Sequence, residues 1–375
     1  MGLINMGASS GKYETAESRW AGVGPYYAMF PVEFADHVVM KYTTSGETVL
    51  DPFAGRGTTI FSAATKMRNG MGVELNPVGW VYSQAKLNPA SKCDVIERVR
   101  EVGRLAARRT SKPCLPVFFS WCFSPTVRQF LLTARKYLNW RQNKVDCTLM
   151  ALLLVNVHGK REASLSNQMR QTKSMSPDYA VNWWKDRKLL PPNVDPVEFM
   201  ENRIKWRYAR GVPVRSNSFV YLGDSIKRLR DVRRRANRLS LSPATLLLTS
   251  PPYCGITNYH YDQWLRLWLL GGEPNALARP GRYRGKFADQ HKYKQLLFEV
   301  FSRTRPCLDK NEVVYVRTDH RPVTLKMTID VLKEVFPKKR MFRYARQIEK
   351  PTQTHLFKNK VEKSSEVDIL LLPTV

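Results

Sequence analysis

The chain is short of acids: its 375 residues hold 32 Asp and Glu against 61 Lys and Arg, a formal net charge of +29. That balance points to a polyanionic partner. An anionic membrane would also answer it, but no clear amphipathic basic helix or lipidation signal is present, so no membrane role is expected. Cysteines are few. The six (Cys93, Cys114, Cys122, Cys147, Cys254 and Cys307) form no C-x-x-C pair, and no histidines cluster near them, which argues against both a metal site and a disulfide framework. Met1 to Lys12 lacks the apolar core of a signal segment, and the longest apolar run, Leu149–Val155, is far too short to span a bilayer. A cytosolic protein is expected. What the chain does not lack is core material. A hydrophobic content of 43% with nine tryptophans excludes a disordered basic tail, so the charge sits on a folded body. The length suits one large domain with an insertion, or two domains.

The stretch Leu246-Leu247-Leu248-Thr249-Ser250-Pro251-Pro252-Tyr253 reads as a buried strand that stops abruptly. Two prolines forbid ladder hydrogen bonds and hold the backbone in a rigid corner. In open α/β sheets, ligands bind beyond the carboxyl ends of strands. There, Ser250 and the Pro251 carbonyl could accept the two N–H bonds of an amino group on a flat ring, while Tyr253 stacks on the ring face. Taken alone, the same residues also suit a Pro-Pro turn that closes a core strand.

Near the N-terminus, residues 1–20 read as a mobile arm and Tyr27–Tyr42 as an amphipathic helix. Thr48–Asp51 then leads into Pro52-Phe53-Ala54-Gly55-Arg56-Gly57-Thr58-Thr59, a strand, a glycine turn and a helix start, and Gly70–Glu74 follows as a strand ending on an acid. This is the first half of a nucleotide-binding α/β unit. The glycines let backbone N–H groups approach a ligand at a helix N-terminus, Thr58 and Thr59 can cap that helix, and Glu74 can accept two ribose hydroxyls. No lysine follows the glycines, so the P-loop pattern fails.

From about Leu87 to Arg215 the α/β rhythm breaks. Helical patterns occupy Val95–Arg108, Thr126–Leu138 and Val145–Val157, followed by a basic polar segment with Lys160, Arg161, Arg170 and Lys173. Arg203, Lys205, Arg207 and Arg210 are interleaved with Trp206 and Tyr208, a mixture suited to phosphate contact and base stacking, although a solvated basic helix face has the same appearance. The region is expected to be a largely helical insertion. The core resumes at Phe219–Ser225, which ends on Asp224. A dense basic helix over Arg228–Arg238, the 246–253 strand and corner, and a helix over Tyr259–Leu269 with core-like Trp264, Leu265 and Trp268 come next. A glycine- and arginine-rich loop (271–286), a helix (293–303), a strand (312–318), a helix (325–335) and a last strand pair (341–348 and 367–372) complete the chain.

With these motifs in place the sequence resembles the S-adenosylmethionine-dependent amino-methyltransferases, most closely the N4-cytosine DNA methyltransferases of restriction–modification systems. The resemblance rests on Asp51-Pro52-Phe53-Ala54-Gly55-Arg56-Gly57-Thr58-Thr59 and Thr249-Ser250-Pro251-Pro252-Tyr253, with weaker matches at Phe30-Pro31, Glu74 and Gly223-Asp224-Ser225. It implies a Rossmann-like α/β fold, a mostly parallel seven-stranded sheet with an antiparallel last strand. It divides the chain into a first core part (1–86), the insertion as candidate target-recognition region (87–215) and a second core part (216–375). It implies Glu74 on the ribose, Asp224 on the adenine amino group, with Ser225 beside it, and the Phe53–Gly57 turn on the methionine part. Arg56 stands where that family usually has a small residue, which suggests a basic rim to the pocket.

The implied activity is methyl transfer to the exocyclic N4 of a cytosine flipped out of duplex DNA, with Ser250, Pro251, Pro252 and Tyr253 as the catalytic corner and no covalent enzyme intermediate. Tyr253 occupies the position at which 5-cytosine enzymes carry a nucleophilic cysteine, so Cys254 is read as structural. Serine at the head of the motif favours cytosine over adenine. N6-adenine methylation, RNA amino-methylation and a catalytically dead basic nucleic-acid-binding protein are the alternatives. The resemblance also implies a bacterial or archaeal cytosol close to the nucleoid, with a cognate restriction endonuclease as a possible partner.

Overall fold

The computed structural model describes residues 13–25, 30–109, 114–213, 216–255, 259–276, 289–346 and 366–374. Seven strands form one sheet: β1 (Thr48–Asp51), β2 (Asn69–Glu74), β3 (Phe219–Leu222), β4 (Ala244–Thr249), β5 (Leu308–Asp319), β6 (Lys339–Arg346) and β7 (Glu366–Pro373). Their spatial order is β3-β2-β1-β4-β5-β7-β6. The pairings among β1 to β5 are parallel, while β7 runs antiparallel to both β5 and β6. The expected α/β fold, mostly parallel with an antiparallel last strand, is the observed one.

Alternation along the central strands supplies both faces of the sheet. Leu50 of β1 and Leu247 of β4 join one core with Met71, Val73, Val314 and Val316. Onto it pack α11 (Ser225–Arg238), α14 (Gln290–Thr304) and α15 (Pro322–Val335) through residues such as Leu229, Val232, Leu297, Val300 and Val331. The neighbouring residues Val49, Leu246 and Leu248 face the other way, against α2 (Val32–Tyr42) and Ala63 of α3 (Thr58–Thr65). The expected helix over 27–42 begins at Val32, after Pro31 at its N-cap; residues 26–29 lie outside the described set.

The arm expected over 1–20 is corrected in its described part, residues 13–20; residues 1–12 lie outside the described set. Ala16–Ala21 form α1, closed by a reciprocal capping box between Thr15 and Ser18, and Trp20 is fully buried. Its indole edge meets the Tyr208 ring at 5.0 Å, and burial of that large side chain anchors the segment.

Between β2 and β3 lie α4 (Pro77–Leu87), α5 (Lys92–Ala107), α6 (Phe118–Cys122), α7 (Pro125–Tyr137), α8 (Lys144–Asn156), α9 (Pro177–Asp186) and α10 (Pro196–Tyr208). Among the described residues of this region, one isolated bridge, Gly159 to Gln168, is the sole extended pairing. The central helix α8 is buried from Asp146 to Asn156, as an apolar-all-round helix must be. Its core is continuous with α4 of the sheet layer and with α13 (Trp264–Leu269), where Trp264, Leu265 and Trp268 are buried. The segment read as one helix over 259–269 is broken at Gln263 into α12 (Tyr259–Asp262) and α13.

Arg266 of α13 pins the two parts together. It is fully buried and donates to the Leu154 and Gln171 carbonyls and to Gln263 Oε1. His158 is equally buried, between the Arg170 carbonyl at 2.7 Å and Ser174 Oγ at 3.2 Å, and burial holds it well below its ordinary range, hence neutral. The loop read at 271–286 and the polar stretch 349–366 fall mostly outside the described residues.

Candidate cofactor crevice and catalytic corner

The strand order reverses beside β1: β2 and β3 lie on one side, β4 and β5 on the other. A crevice forms at the carboxyl ends of strands where such a reversal occurs. Asp51 ends β1, Glu74 ends β2, Asp224 follows β3 and Ser250 follows β4, so four expected site residues share one edge of the sheet.

Hydrogen bonds join these strand ends. Thr249 Oγ1 donates to Asp51 Oδ1 at 2.6 Å, which ties the strand carrying the glycine turn to the strand carrying the Pro-Pro corner. Asp51 Oδ1 also accepts the Phe53 N–H at 3.0 Å. The Ala54 N–H donates to the Val73 carbonyl, and the Gly223 N–H to the Glu74 carbonyl. Ser225 Oγ donates to the Pro52 carbonyl at 2.5 Å. Asp224 is half-buried and caps α11 through the Ile226 N–H at 3.0 Å. Phe53 is half-buried, its ring edge-on to Phe301.

The turn leaves room for a ligand. Gly55 has a φ of +55°, and a Cβ placed there would meet nothing within 4 Å. Gly57, with a φ of +73°, is the N-cap of α3 and offers no side-chain acceptor to its first turn. The expected threonine cap is thus corrected: Thr58 is the first helical residue, and Thr58 and Thr59 are both buried. At Gly57 a Cβ would lie 2.5 Å from Ser83 Oγ, so glycine is required by packing as well as by φ. Open space before an uncapped helix N-terminus suits a carboxylate.

Glu74 is buried and accepts the Gly55 N–H on Oε2 and the Asn76 N–H on Oε1, each at 2.7 Å. A carboxylate offers about four lone-pair sites and these N–H groups take two; of the remaining two directions, a protonated Glu74 uses one for its own O–H, and in either form hydroxyls can be bonded there. Burial pushes Glu74 up to about 8 and Asp51 up to about 6, despite the hydrogen bonds that favour their charged forms.

Arg56 corrects another expectation. It does not line a basic rim: it is buried, and Nη1 donates to the Ala21 and Gly24 carbonyls at 3.1 Å each while Nε donates to Thr58 Oγ1. Its charge holds the segment after α1 against the glycine turn. Burial lowers it to about 10.

At the corner, Pro251 and Pro252 are buried while Ser250 and Tyr253 are half-exposed. Tyr253 Oη donates to Glu366 Oε1 at 3.3 Å, and Glu366 pairs with Arg317 at 3.5 Å. Arg317 in turn makes two hydrogen bonds to Asp368, at 2.6 and 2.9 Å, and lies 3.5 Å above the Phe34 ring. Phe30 is buried against Phe34 beneath this arginine, and Pro31 is exposed, so Phe30 supports the edge from below. Cys254 is buried, and its carbonyl accepts from Arg321 at 2.6 Å. The sequence reading passed over Thr249 as a link and missed Glu366 altogether. These partners lie 198 and 113 positions away from Asp51 and Tyr253, and no local spacing reports such pairings.

The expected DNA-contacting cations fare unevenly. Arg207 is a correction: it is buried, donates to the Arg19 carbonyl and is not presented to a phosphate. Arg203 is half-buried, donates to the Ala163 carbonyl at 2.7 Å and lies over the Phe199 ring. Lys205 is exposed and bridges to Glu201 at 3.2 Å. Lys173 pairs with Asp262 at 2.6 Å, and Arg161 is half-buried against the Leu190 carbonyl and Glu162. Lys160, Arg170 and Arg210 are exposed.

Comparison with known proteins agrees with the crevice. Residues 7–79 match the family model described as DNA methylase. The chain is similar to the type II methyltransferase M.MthZI of Methanothermobacter thermautotrophicus, 45% identical over 49 residues, which is 13% of this chain and 14% of that protein. It is similar also to the type II methyltransferase M.MjaI of Methanocaldococcus jannaschii, 41% identical over 49 residues, 13% of this chain and 16% of that protein. These matches thus span only a small part of the relatives' lengths. An rRNA methyltransferase structure, aviRa from Streptomyces viridochromogenes, aligns over 95% of this chain and 89% of its own at 12% identity, with a TM-score of 0.36 that is too low to carry an argument. The cofactor that a DNA methylase segment implies is S-adenosylmethionine. The crevice fits it on three counts: the open space at Gly55, the uncapped start of α3 and the free acceptor directions of Glu74.

Proposed function

We propose that this chain is an S-adenosylmethionine-dependent DNA methyltransferase acting on the exocyclic N4 of a cytosine flipped out of the duplex, and that it modifies DNA in a restriction–modification system beside a cognate endonuclease. The observation that carries the reading is the Thr249–Asp51 hydrogen bond, because it opens the glycine turn and the Pro-Pro corner onto one crevice.

In this reading Glu74 accepts the ribose hydroxyls, the second oxygen of Asp224 accepts the adenine amino group, and the N–H groups at the start of α3 hold the methionine carboxylate. When bound, the cofactor supplies an electrophilic methyl group. The protein's own contribution is to the amine: Ser250 Oγ and the Pro251 carbonyl accept its two N–H bonds and hold its lone pair out of conjugation with the ring, and Tyr253, braced by Glu366, stacks on the base. Fixing the acceptors beforehand lowers the barrier without a covalent enzyme intermediate. A short neutral side chain at Ser250 favours cytosine. The helical segment 87–215 carries target recognition, with Lys160, Arg170 and Arg210 among its exposed cations.

Nucleoside analysis of DNA methylated by the purified protein tests the assignment. N4-methylcytosine is expected. N6-methyladenine alone would refute the cytosine assignment and leave the crevice standing, and 5-methylcytosine would overturn the reading of the corner. Ser250→Ala should raise the barrier by about 2–4 kcal/mol, comparable to losing one preorganised polar contact at a reacting centre, with little change in DNA affinity. Glu74→Ala should weaken S-adenosylmethionine binding by about 1–3 kcal/mol in calorimetry.

A further inference from the structure

The helix α11, which links β3 to β4 in the chain, packs on one face of the sheet, and beyond its first residue, Ser225, the crevice makes no use of it. Its 14 residues, SIKRLRDVRRRANR, carry seven cations and one acid. Leu229, Val232 and Ala236 face the sheet, and all seven cations are exposed. Two are engaged within the fold: Arg228 pairs with Asp231 at 2.9 Å, and Arg235 lies over the Phe219 ring at 4.5 Å. Among the described residues no acid pairs with Lys227, Arg230, Arg233, Arg234 or Arg238.

Lys227, Arg230, Arg234 and Arg238 are spaced by three, four and four positions, so they form one line along the helix. Like charges at these spacings destabilise a helix, and Lys227 stands in its first turn, at the positive end, where a cation is unfavourable. An arrangement that costs the free protein stability in this way is relieved when an extended polyanion lies along it. At a rise of 1.5 Å per residue the line runs about 16 Å, a length over which duplex DNA presents about nine phosphate charges. Membrane binding would need an apolar face turned outward, and the apolar face of α11 is buried against the sheet. Single-strand binding would need stacking aromatics, and α11 contains none.

We infer that the exposed face of α11 is a docking surface for the phosphate backbone of duplex DNA, distinct from the catalytic corner. Asp224 caps the helix at the crevice, so the line of cations starts at that rim and runs away from it along the sheet face. Such a surface supplies sequence-independent affinity and leaves base choice to other elements. The choice of DNA as the polyanion rests on the proposed function; the surface itself rests on charge and geometry.

The test is the variant Lys227→Gln/Arg230→Gln/Arg234→Gln/Arg238→Gln, with binding to a short duplex of arbitrary sequence measured by fluorescence anisotropy across a salt series without cofactor. Affinity at low salt should drop at least about tenfold and the salt slope should flatten by about 3–4, near one unit per lost phosphate contact, with kcat at saturating DNA unchanged. An unchanged slope and affinity would overturn the inference, and so would intact duplex binding with lost binding to single-stranded RNA or anionic vesicles. Circular dichroism verifies the fold. Should the quadruple variant not fold, Arg230→Gln/Arg234→Gln should flatten the slope by about 2. Because binding is read without cofactor, failure of the methyltransferase assignment would appear separately, as wild-type protein that binds duplex but forms no methylated product.

Discussion

Two basic helices, α10 and α11, look alike as strings of letters and differ in what their charges do. In α10, Arg207 is buried against the Arg19 carbonyl, Arg203 reaches the Ala163 carbonyl and Lys205 pairs with Glu201. In α11 all seven cations are exposed, and among the described residues five of them pair with no acid. The lesson is that a count of arginines measures potential charge and says nothing of its availability. A guanidinium has five donors, and a fold with bare carbonyls at helix ends and loops uses it as readily as a phosphate does.

The largest effect that separates the two helices is expected at Arg207. Arg207→Ala should destabilise the protein by about 2–4 kcal/mol in urea unfolding, since it removes a charged donor from a buried carbonyl and leaves a cavity beneath Trp206. Arg207→Met should cost less, because the apolar stem is kept and a desolvated charge beside Arg19 and Arg203 is removed. Arg234→Ala in α11 should stay within about 0.5 kcal/mol, and a loss as large as that of Arg207→Ala would break the comparison.

Buried acids extend the contrast to pH. Asp51 and Glu74 are raised to about 6 and about 8 from ordinary values of 3.8 and 4.5. In the fold they keep protons that the unfolded chain has already released. Their contribution to stability is therefore full below the unfolded values and is lost as pH rises through about 6 and then about 8. Melting temperature should fall between pH 5 and pH 8, and Glu74→Gln should flatten the upper part of that fall. A wild-type melting curve that rose across this interval would show that the crevice carboxyls are ionised.

Smaller effects grade the rest of α10. Arg203→Ala should cost about 1–2 kcal/mol through its hydrogen bond to a carbonyl. Lys205→Ala should cost at most about 0.5 kcal/mol, because its ion pair with Glu201 is solvated. Equal costs at these two positions would mean that burial does not separate the charges of this helix.

Much of the α/β half was legible from local pattern. Strand ends at Asp51, Glu74 and Thr249 follow from short apolar runs stopped by glycine, an acid or proline, while the helix read over 228–238 begins three residues earlier, at Ser225 behind its Asp224 cap. These signals lie within a few residues of what they determine, so the chain carries them before it folds. The alternate facing of side chains on β1 and β4, strands covered on both faces, likewise needs only a period of two.

Other features were settled in three dimensions alone. Residues 20–24 are pinned because Trp20 finds the Tyr208 ring and Arg56 finds the Ala21 and Gly24 carbonyls. Arg207 is withdrawn from solvent by α1, and Glu366 braces Tyr253 from across the sheet. What the amino-acid order by itself determined is the strands of the sheet, the glycine turn and the Pro-Pro corner, because backbone preference and hydrophobic period act over a few residues. What only the tertiary structure decided is which cations face solvent and which side chains from distant strands meet at the crevice. Those outcomes depend on burial and on carbonyls left bare by the packing, which exist only once the whole chain has closed around them.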